Sequence, residues 1–207
     1  MSDGHRLFAF AYDALAPLAE RRGTAQRRAA LLSTARGTVV EIGAGTGLNL
    51  RHYPDAVTQL LATEPDRHMF RRLEREAPAA GMPLRLRRAP AEALPVADAS
   101  ADVVVSTLVL CSVPDPAAAL AEARRVLRPG GRLLFLEHVR ASPTSTLERW
   151  QDRLRRPWAM ISGGCSPNRD TVGAIEAAGF EVGDLIVWDE AGAALARPHV
   201  AGTAVRV

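Results

Sequence analysis

The sequence predicts an α/β fold built on a mainly parallel β-sheet, and two observations lead to this prediction. Strand-like and helix-like apolar patterns alternate from about residue 36 to the end of the 207-residue chain. A glycine-rich segment, residues 43–47, directly follows the first strand pattern. Strands that alternate with helices form parallel sheets with right-handed crossovers, and ligands bind at the carboxyl ends of such strands.

Each element has a local signal of its own. Asp66 is typical of a helix N-cap, and Gly179 follows the last helical pattern as a helix terminator does. The turn at 129–131 (Pro-Gly-Gly) ends the preceding helix and leads into the next strand. The predicted strands are Thr38–Ile42, Gln59–Thr63, Leu84–Arg88, Asp102–Thr107, Arg132–Glu137, Phe180–Trp188 and His199–Val207. The predicted helices are Thr46–Tyr53, Asp66–Glu76, Asp115–Leu127 and Arg169–Ala178.

Two segments lie outside this alternation. Residues 1–36 carry a helical apolar stripe before the first strand, and residues 139–166 are rich in Arg, Trp, Pro and Ser. Both are placed to cover the strand ends. We therefore predict one domain over 1–207, with a helical N-terminal cap at 1–36 and a lid-like insert at 139–166.

Composition limits the class of protein. Hydrophobic residues make up 47% and charged residues 24%, as in soluble globular proteins. The apolar runs are shorter than the roughly 20 residues of a membrane span, and the start of the chain does not resemble a signal peptide. The two cysteines form no C-x-x-C pair, so the pattern indicates neither a disulfide framework nor a zinc site. We expect a reduced, cytoplasmic protein of undetermined oligomeric state.

The net charge of +3 raises the question of nucleic-acid binding. The basic residues are mostly scattered arginines, in short clusters without interleaved aromatic residues. This pattern favours a solvated basic surface over a nucleic-acid interface.

The glycine-rich turn indicates a nucleoside-type ligand. Its spacing is G-x-G-x-G rather than the G-x-G-x-x-G of dinucleotide sites, which suggests a cofactor without a pyrophosphate. Glu64 ends the second strand, 19 positions after Gly45, where a carboxylate can accept both ribose hydroxyls. The alternative is a solvated carboxylate at a strand end. Glu41 lies within the first strand and needs a partner, either a cofactor ammonium group or the glycine loop that it would cap.

At this point the chain resembles a known family. Residues 39–47, 64–66, 91–95, 102–104 and 125–131 occur in the order and spacing of class I S-adenosylmethionine-dependent methyltransferases. The resemblance covers about residues 36–138. It implies a three-layer, Rossmann-like, seven-stranded sheet, parallel except for an antiparallel last strand, and S-adenosyl-L-methionine as cofactor.

A narrower resemblance reaches about residue 205. Residues 107–113, 136–139, 164–165, 169–170 and 197–202 resemble the methyltransferase-like group that includes the membrane-bound thiol S-methyltransferases of animals. This sequence has no N-terminal hydrophobic anchor, unlike those proteins, which suggests a soluble bacterial relative.

The resemblance assigns cofactor roles to matching positions. The glycines would pack under the methionine part of the cofactor, residues 107–109 would line its methyl end, and Tyr12 would either reach its carboxylate or pack in the core. Pro90 replaces the aspartate of related enzymes, which leaves the Ala91 backbone or the Glu92 carboxylate to contact adenine. The full predicted set is Tyr12, Glu41, Gly43, Ala44, Gly45, Gly47, Glu64, Pro65, Ala91, Glu92, Thr107 and Leu108.

The acceptor side is predicted less sharply. His138 follows the fifth strand and would act as a general base, since a free histidine side chain has a pKa of about 6.5, or it is a hydrogen-bonded core residue. Glu137 would orient His138 or act itself. Cys111 and Cys165 would line the substrate or simply pack, and two cysteines that met in space could bind a soft electrophile such as arsenic. Trp150, Trp158 and Met160 would build an apolar acceptor pocket or dock the lid onto the sheet.

These readings predict an S-adenosylmethionine-dependent methyltransferase acting on a small, apolar acceptor, with a thiol preferred. The alternatives are C-, N- or O-methylation of a quinone, lipid or natural product, and a cofactor-binding module without turnover. A nucleic-acid amino-methyltransferase is disfavoured, because no Asn- or Asp-Pro-Pro-aromatic segment follows the fourth strand.

Overall fold

Seven strands form one mixed sheet in the computed structural model, which describes residues 20–190 and 193–207 apart from the side chain of Arg22. The order across the sheet is β3-β2-β1-β4-β5-β7-β6. The central pairs are parallel, and β7 runs antiparallel to both β5 and β6. The predicted fold class is confirmed. The strands are β1 (Gly37–Ile42), β2 (Val57–Thr63), β3 (Leu84–Arg87), β4 (Ala101–Thr107), β5 (Leu127–His138), β6 (Phe180–Asp189) and β7 (Pro198–Arg206).

Five α-helices accompany the sheet in the described part of the chain. They are α1 (Ala25–Leu32), α2 (Arg67–Glu76), α3 (Pro116–Val126), α4 (Thr146–Ile161) and α5 (Thr171–Ala177). A helical turn at Glu20–Thr24, kinked at Gly23, precedes α1. Asp66 caps α2 as predicted, since its side chain accepts hydrogen bonds from the backbone N–H groups of His68 and Met69.

The helix predicted over Thr46–Tyr53 is wrong. This segment consists of turns that end in one 3₁₀ turn at Leu50–His52. Asn49 and Tyr53 both direct their side chains to the buried Glu41, and this polar attachment replaces regular helix hydrogen bonding.

Both faces of the sheet are covered, which gives three layers. Successive residues of a strand point to opposite faces, so Val39 and Val40 of β1 enter two different apolar clusters. Val103 and Val104 of β4 divide in the same way. These strands are buried on both sides, as expected for the middle of a parallel sheet.

The predicted lid segment contains α4, which is held by a buried glutamine. The Gln151 side chain is fully buried, accepts a hydrogen bond from Ala141 N–H at 2.8 Å and donates to the carbonyl of Leu195 at 2.8 Å. Arg140 adds ion pairs to Glu148 and Asp152 on the same helix. No helix among the described residues is long and apolar enough to cross a membrane.

Candidate active site

The glycine-rich loop after β1 leaves open space above one of its residues. The Ala44 N–H donates to the Thr63 carbonyl at 2.8 Å and ties the loop to β2. A Cβ on Gly43 would lie 2.6 Å from the Val109 side chain, so glycine is needed there for packing. A Cβ on Gly45 would meet nothing closer than 4.0 Å, and the φ angle of 58° favours glycine. A ligand can therefore approach the backbone at Gly45.

Glu64 joins the end of β2 to this loop. One carboxylate oxygen accepts the N–H of Gly45 at 2.9 Å, and the other accepts the N–H of Asp66 at 2.8 Å. Burial raises the pKa of Glu64 to about 7, although these two hydrogen bonds act in the opposite direction. Each oxygen keeps a further lone pair, so the carboxylate can still accept hydroxyl donors.

Glu41 is buried within β1 and is fully partnered by the protein. Its oxygens accept hydrogen bonds from the Asn49 amide at 2.7 Å and the Tyr53 hydroxyl at 2.9 Å. Burial raises the pKa of Glu41, and the same two hydrogen bonds partly counteract it. Both partners lie in the segment 49–53, beyond the glycine-rich residues 43–47, so Glu41 anchors the segment that follows the loop.

Arg28 extends this network and keeps one donor unused. It lies on α1, is almost fully buried, and donates to Asn49 at 2.7 Å and to Thr107 at 3.0 Å. It also pairs with the buried Glu20 at 3.3 Å. Its Nε atom is buried without a hydrogen-bond partner among the described residues. A buried, unpaired guanidinium N–H is costly, so an anionic ligand group at this position would be stabilised.

Ala91 and Glu92, the residues predicted to contact adenine, differ in their surroundings. Ala91 is buried in the core, and the Glu92 carboxylate accepts the N–H of Asp115 at 3.3 Å. Pro65 is exposed, and its carbonyl accepts from Arg88 at 3.3 Å.

The end of β4 adopts a strained backbone conformation. Leu108 has a φ of 61°, which is uncommon for a residue with a branched side chain. Its N–H donates to the Leu136 carbonyl at 2.7 Å, which holds this conformation. Strained residues of this kind cluster at ligand sites. Thr107, immediately before it, is half-buried and bonded to Arg28.

Glu137 positions the segment that follows β4. Its carboxylate is fully buried and accepts four hydrogen bonds of 2.6 to 3.1 Å. The donors are the Ser106 hydroxyl and the backbone N–H groups of Val109, Leu110 and Cys111. A carboxylate committed in this way orients a loop rather than a neighbouring ring.

The structure brings the two cysteines and His138 together. The Cys111 and Cys165 sulfurs lie 3.4 and 3.3 Å from His138 Nδ1. The hydrogen bond between the two sulfurs raises the pKa of Cys111 and lowers that of Cys165, so Cys165 is the better thiolate. The Trp158 indole N–H, buried without a regular partner, contributes further to lowering the pKa of Cys165.

Aromatic rings line the same region. The His199 ring meets His138 edge-on with centroids 4.6 Å apart and stacks on Trp188 at 5.1 Å. The Arg27 guanidinium lies over Trp188 at 4.5 Å. Burial lowers the pKa of His199 to about 4, which keeps this ring neutral.

Three other sequence hypotheses fall elsewhere. Tyr12 lies outside the described residues. Trp150 is 49% and Met160 83% exposed, so neither contributes to an apolar acceptor pocket in this arrangement.

A cavity of about 420 Å³ adjoins the loop on the side of α2. Its lining includes Gly47, Arg51 and Arg75 but neither Gly45 nor Glu64. The cavity therefore shares Gly47 with the predicted cofactor residues but does not include Glu64, the residue predicted to hold the ribose.

Sequence reasoning missed Arg28, Asn49 and Tyr53. A usable signal existed for Arg28, because Thr24, Arg28 and Leu32 follow four-residue spacing on one helix face, and all three are buried. An arginine on the apolar face of a helix needs a buried partner.

The comparisons with known proteins agree with this geometry. A sequence family described as a methyltransferase domain matches residues 40–135. The human thiol S-methyltransferase TMT1B is 37% identical over 187 residues, covering 84% of this chain and 74% of that protein. Human TMT1A is 36% identical over 189 residues, covering 82% and 70%. A geranyl diphosphate methyltransferase solved with SAM has a TM-score of 0.72 at 14% identity, covering 90% of this chain and 85% of that one, which supports the fold alone.

Fold and site together define a class I S-adenosylmethionine-dependent methyltransferase. Within that class, the chain belongs to the methyltransferase family that contains the mammalian thiol S-methyltransferases.

Proposed function

We propose that this chain binds S-adenosyl-L-methionine at the loop after β1 and transfers its methyl group to a small thiol. When bound, the cofactor supplies a methyl group on a positively charged sulfur, which a thiolate can attack. The observation that carries the thiol assignment is the likeness to the two human thiol S-methyltransferases, which extends well beyond residues 40–135.

The residues present fit the cofactor in three respects. Open space above Gly45 admits a ligand against the backbone. Glu64 has lone pairs left for the ribose hydroxyls. The unpaired Nε of Arg28 suits a carboxylate, so we assign it to the methionine end of the cofactor. Gly43 and Ala44 shape the loop, and Thr107 and Leu108 border the methyl end.

Other residues serve by positioning. Glu41 anchors the segment 49–53 and thereby supports the loop from below. Glu137 fixes the segment 109–111 at the acceptor side. Ala91 and Glu92 border the adenine. His138, as a base for the acceptor thiol, stays a prediction.

We also infer that α4 acts as a lid within a single methyltransferase unit, because Gln151 ties it to the strand ends.

The acceptor must lose a proton before it attacks, because the thiolate is the nucleophile and a free thiol has a pKa of about 8.5. A buried site favours methyl transfer from a cation to an anion, since the two charges disappear together as the bond forms. A small apolar thiol fits the aromatic surroundings of His138 and His199. A cytoplasmic location and a bacterial source stay predictions.

The test has two stages. First, calorimetry with S-adenosylhomocysteine should show binding that Glu64→Ala weakens, with Glu181→Ala on the exposed start of β6 as the matched control. Equal affinity in both variants would remove the ribose role of Glu64.

Second, S-adenosylmethionine with a labelled methyl group is supplied with thiols, phenols, amines and quinones in turn. We expect labelled thioethers as the main product. Transfer mainly to oxygen, nitrogen or carbon would overturn the thiol assignment, and binding without any transfer would favour the non-catalytic alternative.

A further inference from the structure

Three metal-ligand side chains converge beside the strand ends. Cys111 follows β4, His138 ends β5, and Cys165 follows α4. The two sulfurs and His138 Nδ1 all lie within 4.8 Å of one another. The sequence did not predict a metal site, because the three residues stand far apart and form no C-x-x-C pair.

The backbone holds these residues in place without an ion. The N–H of Cys111 donates to Glu137 at 3.1 Å, and the carbonyl of Cys111 accepts the N–H of Ser166 at 2.7 Å. Arg169 donates to the carbonyls of Leu110 and Val113 on either side. The two cysteine segments are thus fixed to each other, as a preorganised ligand set requires.

The distances suit a tetrahedral ion. With Zn–S bonds of about 2.3 Å and Zn–N bonds of about 2.0 Å, a tetrahedral site separates sulfur from nitrogen by about 3.5 Å. The observed separations of 3.4 and 3.3 Å are close to this value. Two thiolates and one imidazole form a soft donor set, which binds Zn²⁺ in preference to harder cations such as Mg²⁺ and Ca²⁺.

We propose that Cys111, His138 and Cys165 bind one Zn²⁺ ion whose fourth position takes an exogenous thiol. Three protein ligands with one open position are typical of catalytic rather than structural zinc. The part concerning the thiol rests on the proposed function. An entering thiol binds as thiolate, releases its proton to solvent and displaces a water, with no change in oxidation state. Zinc would then replace His138 as the means of deprotonating the acceptor.

Metal binding is tested on the full, reduced chain after treatment with a chelator. Zn²⁺ is titrated against a chromophoric chelator, and Co²⁺ is added separately as a spectroscopic probe. We expect one ion per chain, with the visible bands of tetrahedral Co²⁺ and thiolate-to-cobalt charge transfer. Cys111→Ser and Cys165→Ser should each weaken binding at least tenfold, whereas His68→Ala, outside the cluster, should not.

A second measurement does not depend on variants that fold poorly. X-ray absorption of the zinc-loaded wild-type protein should show two sulfur ligands and one imidazole. An oxygen-rich shell, or octahedral Co²⁺ spectra, would overturn the metal site.

The fourth ligand is tested by adding 2-mercaptoethanol to the cobalt-loaded protein. Charge-transfer absorption should rise as a third sulfur binds, and an unchanged spectrum would overturn this part of the proposal. Failure here is distinguishable from failure of the proposed function. If zinc-free protein methylates thiols as fast as zinc-loaded protein, zinc has no role in the reaction and the proposed function stands. If the protein binds zinc but does not methylate thiols, the metal site stands and the proposed acceptor is wrong.

Discussion

The buried carboxylate of Glu137 accepts the backbone N–H of Cys111 at 3.1 Å, and so connects the end of β5 to the segment after β4. Three further donors converge on the same carboxylate. The sequence raised Glu137 as a partner of His138 or as a catalytic group. The contacts instead favour a role in holding the segment that carries Cys111.

This arrangement predicts a stability effect for Glu137→Gln. The substitution places an amide NH₂ against backbone donors and leaves at least one buried N–H unpaired. We expect the free energy of unfolding to fall by about 2 to 4 kcal/mol, measured by urea denaturation. An unchanged free energy of unfolding together with lost turnover would instead indicate a catalytic role.

The second prediction uses two glycines that share a backbone conformation. Gly45 and Gly130 have φ angles of 58° and 74°, and a Cβ on either would find no atom closer than 4.0 Å. Substitution of either glycine by alanine should lower the free energy of unfolding by about 1 to 2 kcal/mol, because alanine disfavours the left-handed backbone conformation.

Only Gly45→Ala should affect the cofactor, because its Cβ would occupy the open space above the loop. We expect affinity for S-adenosylhomocysteine to fall by about tenfold or more, and Gly130→Ala to bind as wild type does. Calorimetry on both variants checks this, and equal affinities would contradict the placement of the ligand over Gly45.

The third prediction follows from the pKa of Glu64, which burial raises to about 7. The ionised carboxylate accepts ribose hydroxyls, so binding favours loss of the proton. Below pH 7 the affinity should fall, approaching about tenfold per pH unit, and above pH 7 it should level off.

The probe for this test is 5′-methylthioadenosine, which keeps the ribose but lacks the titrating amino group of the cofactor. Glu64→Gln should bind more weakly at pH 8 and show no such pH dependence. A wild-type profile that is flat between pH 5.5 and 8 would count against a ribose role.

The raised pKa of Glu64 also affects stability. The folded state retains this proton to higher pH than the unfolded chain, so its contribution is fully present below the unfolded value of 4.5 and is lost as the pH rises through about 7. Unfolding measured at pH 5.5 and pH 8 should therefore show a lower free energy at pH 8 in the absence of cofactor. Added S-adenosylhomocysteine should reduce the difference, because it gives the ionised carboxylate new donors.

How much the sequence could reveal depends on whether partners lie at neighbouring strand ends. Glu64 and Gly45 follow β2 and β1, which are adjacent and parallel, so their approach could be predicted from strand order. Arg28 meets Thr107 from a helix outside the strand alternation, and periodicity does not reveal which strand end such a helix contacts.

The cysteine cluster was harder still to predict. Cys165 reaches His138 because Ser166 and Arg169 attach its segment to the residues around Cys111. These attachments depend on the folded backbone of an irregular loop, and no spacing in the sequence encodes them. The helix predicted over Thr46–Tyr53 was wrong for a similar reason. The Asn49 and Tyr53 side chains hydrogen-bond to Glu41 on β1, and apolar periodicity does not encode such a contact.

The last prediction concerns the unpaired Nε of Arg28. Arg28→Lys keeps the positive charge beside Glu20 but removes the forked set of donors. If Nε binds the cofactor carboxylate, affinity for S-adenosylhomocysteine should fall by about tenfold or more, as for loss of a charged hydrogen bond. Affinity for 5′-methylthioadenosine, which has no carboxylate, should stay within about twofold of wild type, because each tenfold step corresponds to 1.4 kcal/mol. The second ligand therefore serves as the internal control: a parallel loss for both ligands would mean that Arg28 acts only by supporting Asn49 and Thr107, whereas a selective loss would place the methionine end of the cofactor against α1.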